Sequence, residues 1–294
     1  MLKLNINFEK GKIAVVIAFL VVISCVVFMN FENRTKTDKI IVSDEGKLKS
    51  SATIDGHVAI FRNDFPWAIN ITEKILVNHS ISYTIYDHTD MGVVDLTPFE
   101  KVIIVSDQDQ NFYDALGSKI AWFDYYVLRG GILEIHAADD GWNGGIWNGL
   151  FLMPGGINQT HISSDNITIN LPTHSILSHP NIITDDELDY WSQSAHGYFN
   201  TYPINSKKIL IDGITTEPVF IESVFGKGTI LISMQPLEWG YYHGYSKFLE
   251  NVLLYVPETP TAEPGIPGYN LYILIGIVSV ISAIYLKKRI KSII

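Results

Sequence analysis

Five side chains have the types needed for acid–base or metal-assisted chemistry. His136, Asp139 and Asp140 fall close together in Ile135-His136-Ala137-Ala138-Asp139-Asp140-Gly141, while His196 and Glu238 come later, each near a tryptophan. Carboxylates with a histidine can divide the roles of general acid and general base, because imidazole titrates near neutrality. Two imidazoles and two carboxylates also suit a divalent ion. The same residues have plainer uses. A strand-end histidine can bond to the backbone, and aspartates after a strand cap the next turn. Asp107, Trp142, Trp191 and Trp239 are candidate ligand contacts, since indole offers a flat apolar face with one polar edge. No spacing specifies a metal site and no cofactor motif is present, so no metal and no cofactor is expected.

These residues must be positioned by a sheet. Gly130-Gly131-Ile132-Leu133-Glu134-Ile135-His136 reads as a helix C-cap followed by a buried strand. In an open α/β sheet the functional loops lie at the carboxyl ends of strands, so His136, Asp139 and Asp140 are expected at the rim. Further strands are expected at 57–61, 82–86, 101–105 and 208–211. Helical spacing covers 66–79, 111–128 and 242–255. The order β-α-β-β-α-β with short connections predicts a parallel sheet with covering helices. Residues 218–234 read as a hairpin around Gly226-Lys227-Gly228. That lysine lacks the spacing of a phosphate loop and precedes a strand, so the segment is a turn. Residues 159–170 read as one exposed strand, and 171–206 as an excursion with little regular structure.

Composition bounds the setting. The chain has 294 residues, 47% of them hydrophobic, with a formal charge of −10. Two uncharged apolar runs, near 13–30 and 270–286, have basic residues on their outer flanks, which predicts two membrane spans with residues 31–268 extracytoplasmic. The remaining parts are basic cytoplasmic tails at 1–12 and 287–294, a stalk at 31–56, an α/β domain at 57–256 and a Pro-rich linker at 257–269. Seven of the 21 Lys/Arg but one of the 31 Asp/Glu lie in the flanks, leaving 14 bases against 30 acids in the middle, a charge of about −16. Such a surface repels nucleic acid. The partners expected are the membrane and a glycan or surface protein. Cys25 is the sole cysteine and lies in the first apolar run, so the middle segment has neither a disulfide nor a thiol nucleophile.

The helix followed by Gly130-Gly131-Ile-Leu-Glu-Ile-His136-Ala137-Ala138-Asp139 resembles the central motif of the ThuA-like branch of the class I glutamine amidotransferase-like superfamily. His179-Pro180 with Asp186-Glu187-Leu188, and Glu217-Pro218-Val219 with Phe225-Gly226-Lys227-Gly228, resemble its later motifs. The likeness covers about 57–256. It implies a flavodoxin-like three-layer α/β/α sandwich with a mostly parallel sheet, here flanked by one transmembrane helix at each end. Amidotransferases of this superfamily carry a cysteine nucleophile in the turn after this strand, where a thiolate is needed. This chain has Ala137, Ala138, Asp139 and Asp140 there. The family resemblance therefore implies a domain that has lost its thiol chemistry and binds a ligand or partner, with a glycan suggested by the branch's carbohydrate associations. The alternative is a surface carbohydrate-active hydrolase using His136, His196, Asp139, Asp140 and Glu238. Pro264-Gly265-Ile266-Pro267-Gly268-Tyr269 with its basic tail resembles the C-terminal anchors of archaeal surface proteins.

Overall fold

The computed structural model describes residues 56–258, apart from Asn148 and Tyr190. Eight strands form one sheet in the order β2-β1-β3-β4-β10-β9-β8-β6. They are β1 (Val58–Phe61), β2 (Tyr83–Tyr86), β3 (Lys101–Ile104), β4 (Ile132–His136), β6 (Ile167–Ile169), β8 (Lys207–Asp212), β9 (Pro218–Phe225) and β10 (Gly228–Ser233). Strands β5 (Asn158–Ser164) and β7 (Ala195–Thr201) make a separate antiparallel pair. The short helices are α1 (Ile71–Asn78), α2 (Gln110–Ser118), α3 (Ile120–Leu128), α4 (Asp185–Leu188), α5 (Leu237–Tyr242) and α6 (Phe248–Leu254).

The sheet is mixed, which corrects the mostly parallel, flavodoxin-like sandwich expected from the resemblance. Strands β2, β1, β3, β4 and β10 run parallel. From β10 outward, β9, β8 and β6 pair antiparallel. The physical reason lies in the connections. A parallel pair needs a crossover of a dozen or more residues, and helices supply it between the early strands. Strands β8, β9 and β10 follow one another through tight turns, which permit only antiparallel neighbours.

The tails, the stalk to residue 55, most of the linker and both expected spans lie outside the described residues. Among the described residues no helix is long and apolar enough to cross a membrane. The described helices therefore give no support to the two expected spans or to the membrane as a partner.

The central strands are apolar on both faces, as strands covered by helices must be. Val58, Ala59, Ile60 and Phe61 of β1 are wholly buried, as are Ile230, Leu231 and Ile232 of β10. Removing one large aliphatic or aromatic side chain from water contributes about 1.5–3 kcal/mol, so this core dominates the stability. Helix α3 packs on β4 and β10, while α1 packs against α5 and α6. Three expected helices are interrupted. Residues 66–79 divide into a single 3-10 turn, Pro66–Ala68, and α1, because Trp67 takes φ 54. Residues 111–128 break at Lys119, and 242–255 gives way to α5 and α6. The β9–β10 hairpin lies tight against the end of α3. A Cβ on Gly228 would stand 2.2 Å from the Gly131 carbonyl oxygen and 2.4 Å from that of Val127. Both contacts are backbone and cannot rotate away. Gly228→Ala is expected to destabilise the domain by about 1–3 kcal/mol in urea unfolding, and an unchanged midpoint would contradict this packing.

Candidate functional site at the strand ends

His136 ends β4 and is buried rather than standing at the rim. Its Nδ1 lies 2.6 Å from Oε1 of Glu238, and its Nε2 lies 2.8 Å from Oε1 of Glu134. Glu134 in turn accepts from Nζ of Lys101 at 2.7 Å, and Lys101 also donates to the carbonyl oxygens of Val252 and Leu253. At the other end, Oε2 of Glu238 accepts from the Ser106 hydroxyl at 2.7 Å, and Nε1 of Trp67 donates to Ser106 Oγ. All five polar side chains from Lys101 to Ser106 are buried. The result is a ladder of alternating charge, Lys101, Glu134, His136, Glu238, that crosses the interior and closes on a hydroxyl.

Each charge in the ladder is set by its neighbours. Burial alone would lower the pKa of His136, but the Glu238 carboxylate and then Glu134 overcome it and raise the value to about 10. Burial raises the carboxyl pKa of Glu238, and the His136 imidazolium more than offsets that, leaving it lowered. Glu134 is also lowered, with burial opposed first by Lys101. His136 is thus a doubly hydrogen-bonded imidazolium at neutral pH. It has no lone pair to act as a base or to bind a metal.

The groups that do face a cleft come from the turn after β4 and from the β5–β7 pair. Asp140 is exposed and takes the left-handed conformation, φ 57. Asp and Asn are among the non-glycine residues that adopt this conformation most readily, and here it turns the chain sharply after β4. His196 on β7 directs Nδ1 to the carbonyl oxygen of Asp139 at 2.5 Å. That contact makes Nδ1 the donor and leaves Nε2 as the acceptor in the neutral ring. Nε2 is buried and has no partner. Asp139 itself is buried, accepts from the Trp147 backbone N–H at 2.6 Å and lies 3.2 Å from Nδ1 of His161. That carboxylate raises the pKa of His161.

Two adjoining lobes share Asp140, Gln193 and His196. One, of about 240 Å³, adds His161, Ile162 and Ser163. The other, of about 200 Å³, is walled by Trp67, Trp142, Trp191 and Trp239. Trp239 is the hub of this wall: it stacks on Trp191 at 5.7 Å between ring centres and meets Trp142 edge-on at 5.4 Å. Trp142 is 66% exposed. Asp107, a candidate contact in the sequence, is instead a buried staple. Its carboxylate accepts from the backbone N–H of Trp67 at 2.8 Å and of Asn143 at 2.9 Å, which ties the tryptophan turn to the β4 turn. Burial raises its pKa. Gly141 is required beside it, since a Cβ there would meet both Asp107 and Trp67 at 2.3 Å.

The structure therefore gathers Asp140, His196, Trp142, Trp191 and Trp239 into one cleft. It places Asp139 beneath that cleft and sends His136, Glu238 and Asp107 into the interior. His179 is exposed and does not line either lobe. Trp67, His161 and Gln193 belong to the cleft but carried no spacing signal in the sequence. Among the described residues no cluster of three or more His, Cys, Asp or Glu could hold a metal ion.

No family model matches the chain. An uncharacterized protein of Clostridium acetobutylicum is 28% identical over 242 residues, which is 77% of this chain and 24% of that protein. The chain thus spans about a quarter of the relative's length. Among solved structures, an exo-β-1,4-mannosidase from Opitutaceae bacterium strain TAV5 is 12% identical with a TM-score of 0.42, covering 68% of this chain and 36% of that one. A glutamine amidotransferase from Thermotoga maritima is 13% identical with a TM-score of 0.41, covering 60% and 74%. Both TM-scores lie below 0.5, so the two structures are what the chain is similar to and nothing more. The ThuA-like branch and the archaeal-type anchor are not reached by these comparisons, and neither neighbour assigns an activity.

Two outcomes follow from the buried ladder. Lys101→Met removes one of the two cations that face Glu134, leaves its Oε2 unpaired in the interior, and is expected to cost about 3–5 kcal/mol of stability in urea unfolding. Because the folded-state pKa of His136 is raised above its unfolded value, its contribution is fully present below the unfolded pKa of about 6.5 and is lost as pH rises through about 10. The wild type should lose stability across that window in pH-dependent unfolding, and His136→Gln should lose less of it.

Proposed function

We propose that this is a binding domain of amidotransferase-like fold whose strand-end cleft holds a glycan without cleaving it. The observation that carries this reading is the tryptophan lobe, in which the exposed Trp142 and the Trp239 hub adjoin the acceptor atoms of Asp140 and His196. A sugar ring has an apolar face for an indole and hydroxyls for acceptors placed at its edge. The absence of a cysteine after β4, and the engagement of both nitrogens of His136, favour binding over thiol or histidine-base chemistry. The ThuA-like branch is the family reading we favour, on the order of its motifs along the chain.

A second reading has one observation behind it. Asp140, at the sharp left-handed turn after β4, and His196, whose Nε2 has no partner, line the same two lobes, as a hydrolytic carboxylate and base would. Its test is release of a chromophore from aryl glycosides, abolished in Asp140→Asn. The binding reading expects no release by the wild type.

Intrinsic tryptophan fluorescence of the full chain, titrated with a panel of oligosaccharides, tests the proposal. At least one neutral or charged oligosaccharide should quench saturably. Trp142→Ala should weaken that binding by about tenfold or more while leaving the melting temperature unchanged, because the side chain lies largely outside the core. Failure of every oligosaccharide to bind would overturn the reading.

A further inference from the structure

We infer that the ligand of the strand-end cleft carries a positive charge, and that the cleft selects an amino sugar over a neutral or acidic one. This deepens the glycan reading and rests on it. Among the described residues, Asp140 is the one carboxylate residue that lines the two lobes, and the titratable imidazole beside it, His161, lies in the polar lobe against the buried Asp139. Asp140 contributes a carboxylate that forms no ion pair among the described residues. No lysine or arginine lines either lobe. An anionic sugar would enter with its charge unmatched, which is strongly unfavourable once water is displaced.

The histidines divide the cleft. His161, in the polar lobe, is compensated by the buried Asp139 at 3.2 Å. The tryptophan lobe lies on the other side of Asp140 and does not include His161. There, four tryptophans line the same lobe as Asp140, and an ammonium group is attracted by indole faces as well as by a carboxylate. His196 also lines this lobe, and its buried Nε2 has no hydrogen-bond partner, so a small turn of the ring on ligand entry gives an acceptor for an N–H or O–H. Tryptophan faces, an acceptor with a fixed tautomer and one free carboxylate together match a sugar ring bearing an ammonium substituent.

The test is isothermal titration of the full chain with three tetrasaccharides of like size: a glucosamine oligomer, cellotetraose and a galacturonate oligomer. The glucosamine oligomer is expected to bind at least about tenfold more tightly than cellotetraose. The galacturonate oligomer is expected not to bind, and the preference should shrink as salt is raised. Asp140→Asn keeps a residue that tolerates the left-handed backbone and removes the charge. Its melting temperature should match the wild type, and it should bind the glucosamine oligomer and cellotetraose within about twofold of each other. Equal binding of these two by the wild type would overturn the charge selection while leaving the glycan reading intact. Undiminished preference in Asp140→Asn would overturn the role of that carboxylate. Binding of none of the three, together with no binding across the wider oligosaccharide panel, would remove the glycan reading and this inference with it.

Discussion

The buried ladder Lys101–Glu134–His136–Glu238–Ser106 is the constraint on which the rest of this structure depends. Ionic groups in an apolar interior are tolerable only when each is matched and its remaining lone pairs or protons are satisfied. Here Lys101 starts β3, Glu134 and His136 lie on β4, and Glu238 enters from α5. Their hydrogen bonds fix the register of β4 against its neighbours and hold α5 across the strand ends. Lys101 also bonds the last carbonyls of α6, so one ammonium ties the sheet to the helix that closes the domain. Such a network is either complete or costly, and so it defines a single arrangement of these elements.

The cleft is a consequence of that arrangement. Holding α5 over the strand ends brings Trp239 above the β4 turn, beside Trp67, whose indole N–H reaches the ladder through Ser106. The Asp107 staple and Gly141 then fix how closely the two turns approach. The β5–β7 pair adds the opposite wall, with the His196 amide bonded to the Met234 carbonyl at the end of β10. The site is thus assembled from segments far apart in sequence and supported by charges it does not itself expose. The chemistry-bearing histidine of the central strand serves as structure, and a histidine from the β5–β7 pair lines the cleft.

Much of the scaffold was legible in the sequence because it obeys local rules. Continuous apolar runs marked β1, β3 and β4, and the glycine turn marked the β9–β10 hairpin. Residues 132–140 were correctly read as the strand and turn from which the cleft is built. What the sequence did not disclose was long-range. His136 looked like a rim residue because its partners Glu134 and Glu238 lie on different elements, one of them 102 residues away. β7 was hidden in a segment rich in turn formers, so the role of His196 could be guessed but the pairing that aims it could not. His161 had no spacing signal, since Asp139 meets it only across the β5 connection. The expected helix at 66–79 failed at Trp67, whose left-handed backbone is held by the Asp107 carboxylate, a tertiary contact that overrides helical spacing.

The central claim is a division of labour: His136 is a fixed interior imidazolium, and His196 lines the cleft with a ring nitrogen that has no partner. Nitrogen-15 NMR of the imidazole rings in the full chain at neutral pH, before and after addition of a glucosamine oligomer, measures both at once. The account predicts that His136 is protonated on both nitrogens and unmoved by ligand, while the Nε2 signal of His196 shifts on binding. A His136 that titrates near neutrality or responds to the ligand, with His196 silent, would contradict it.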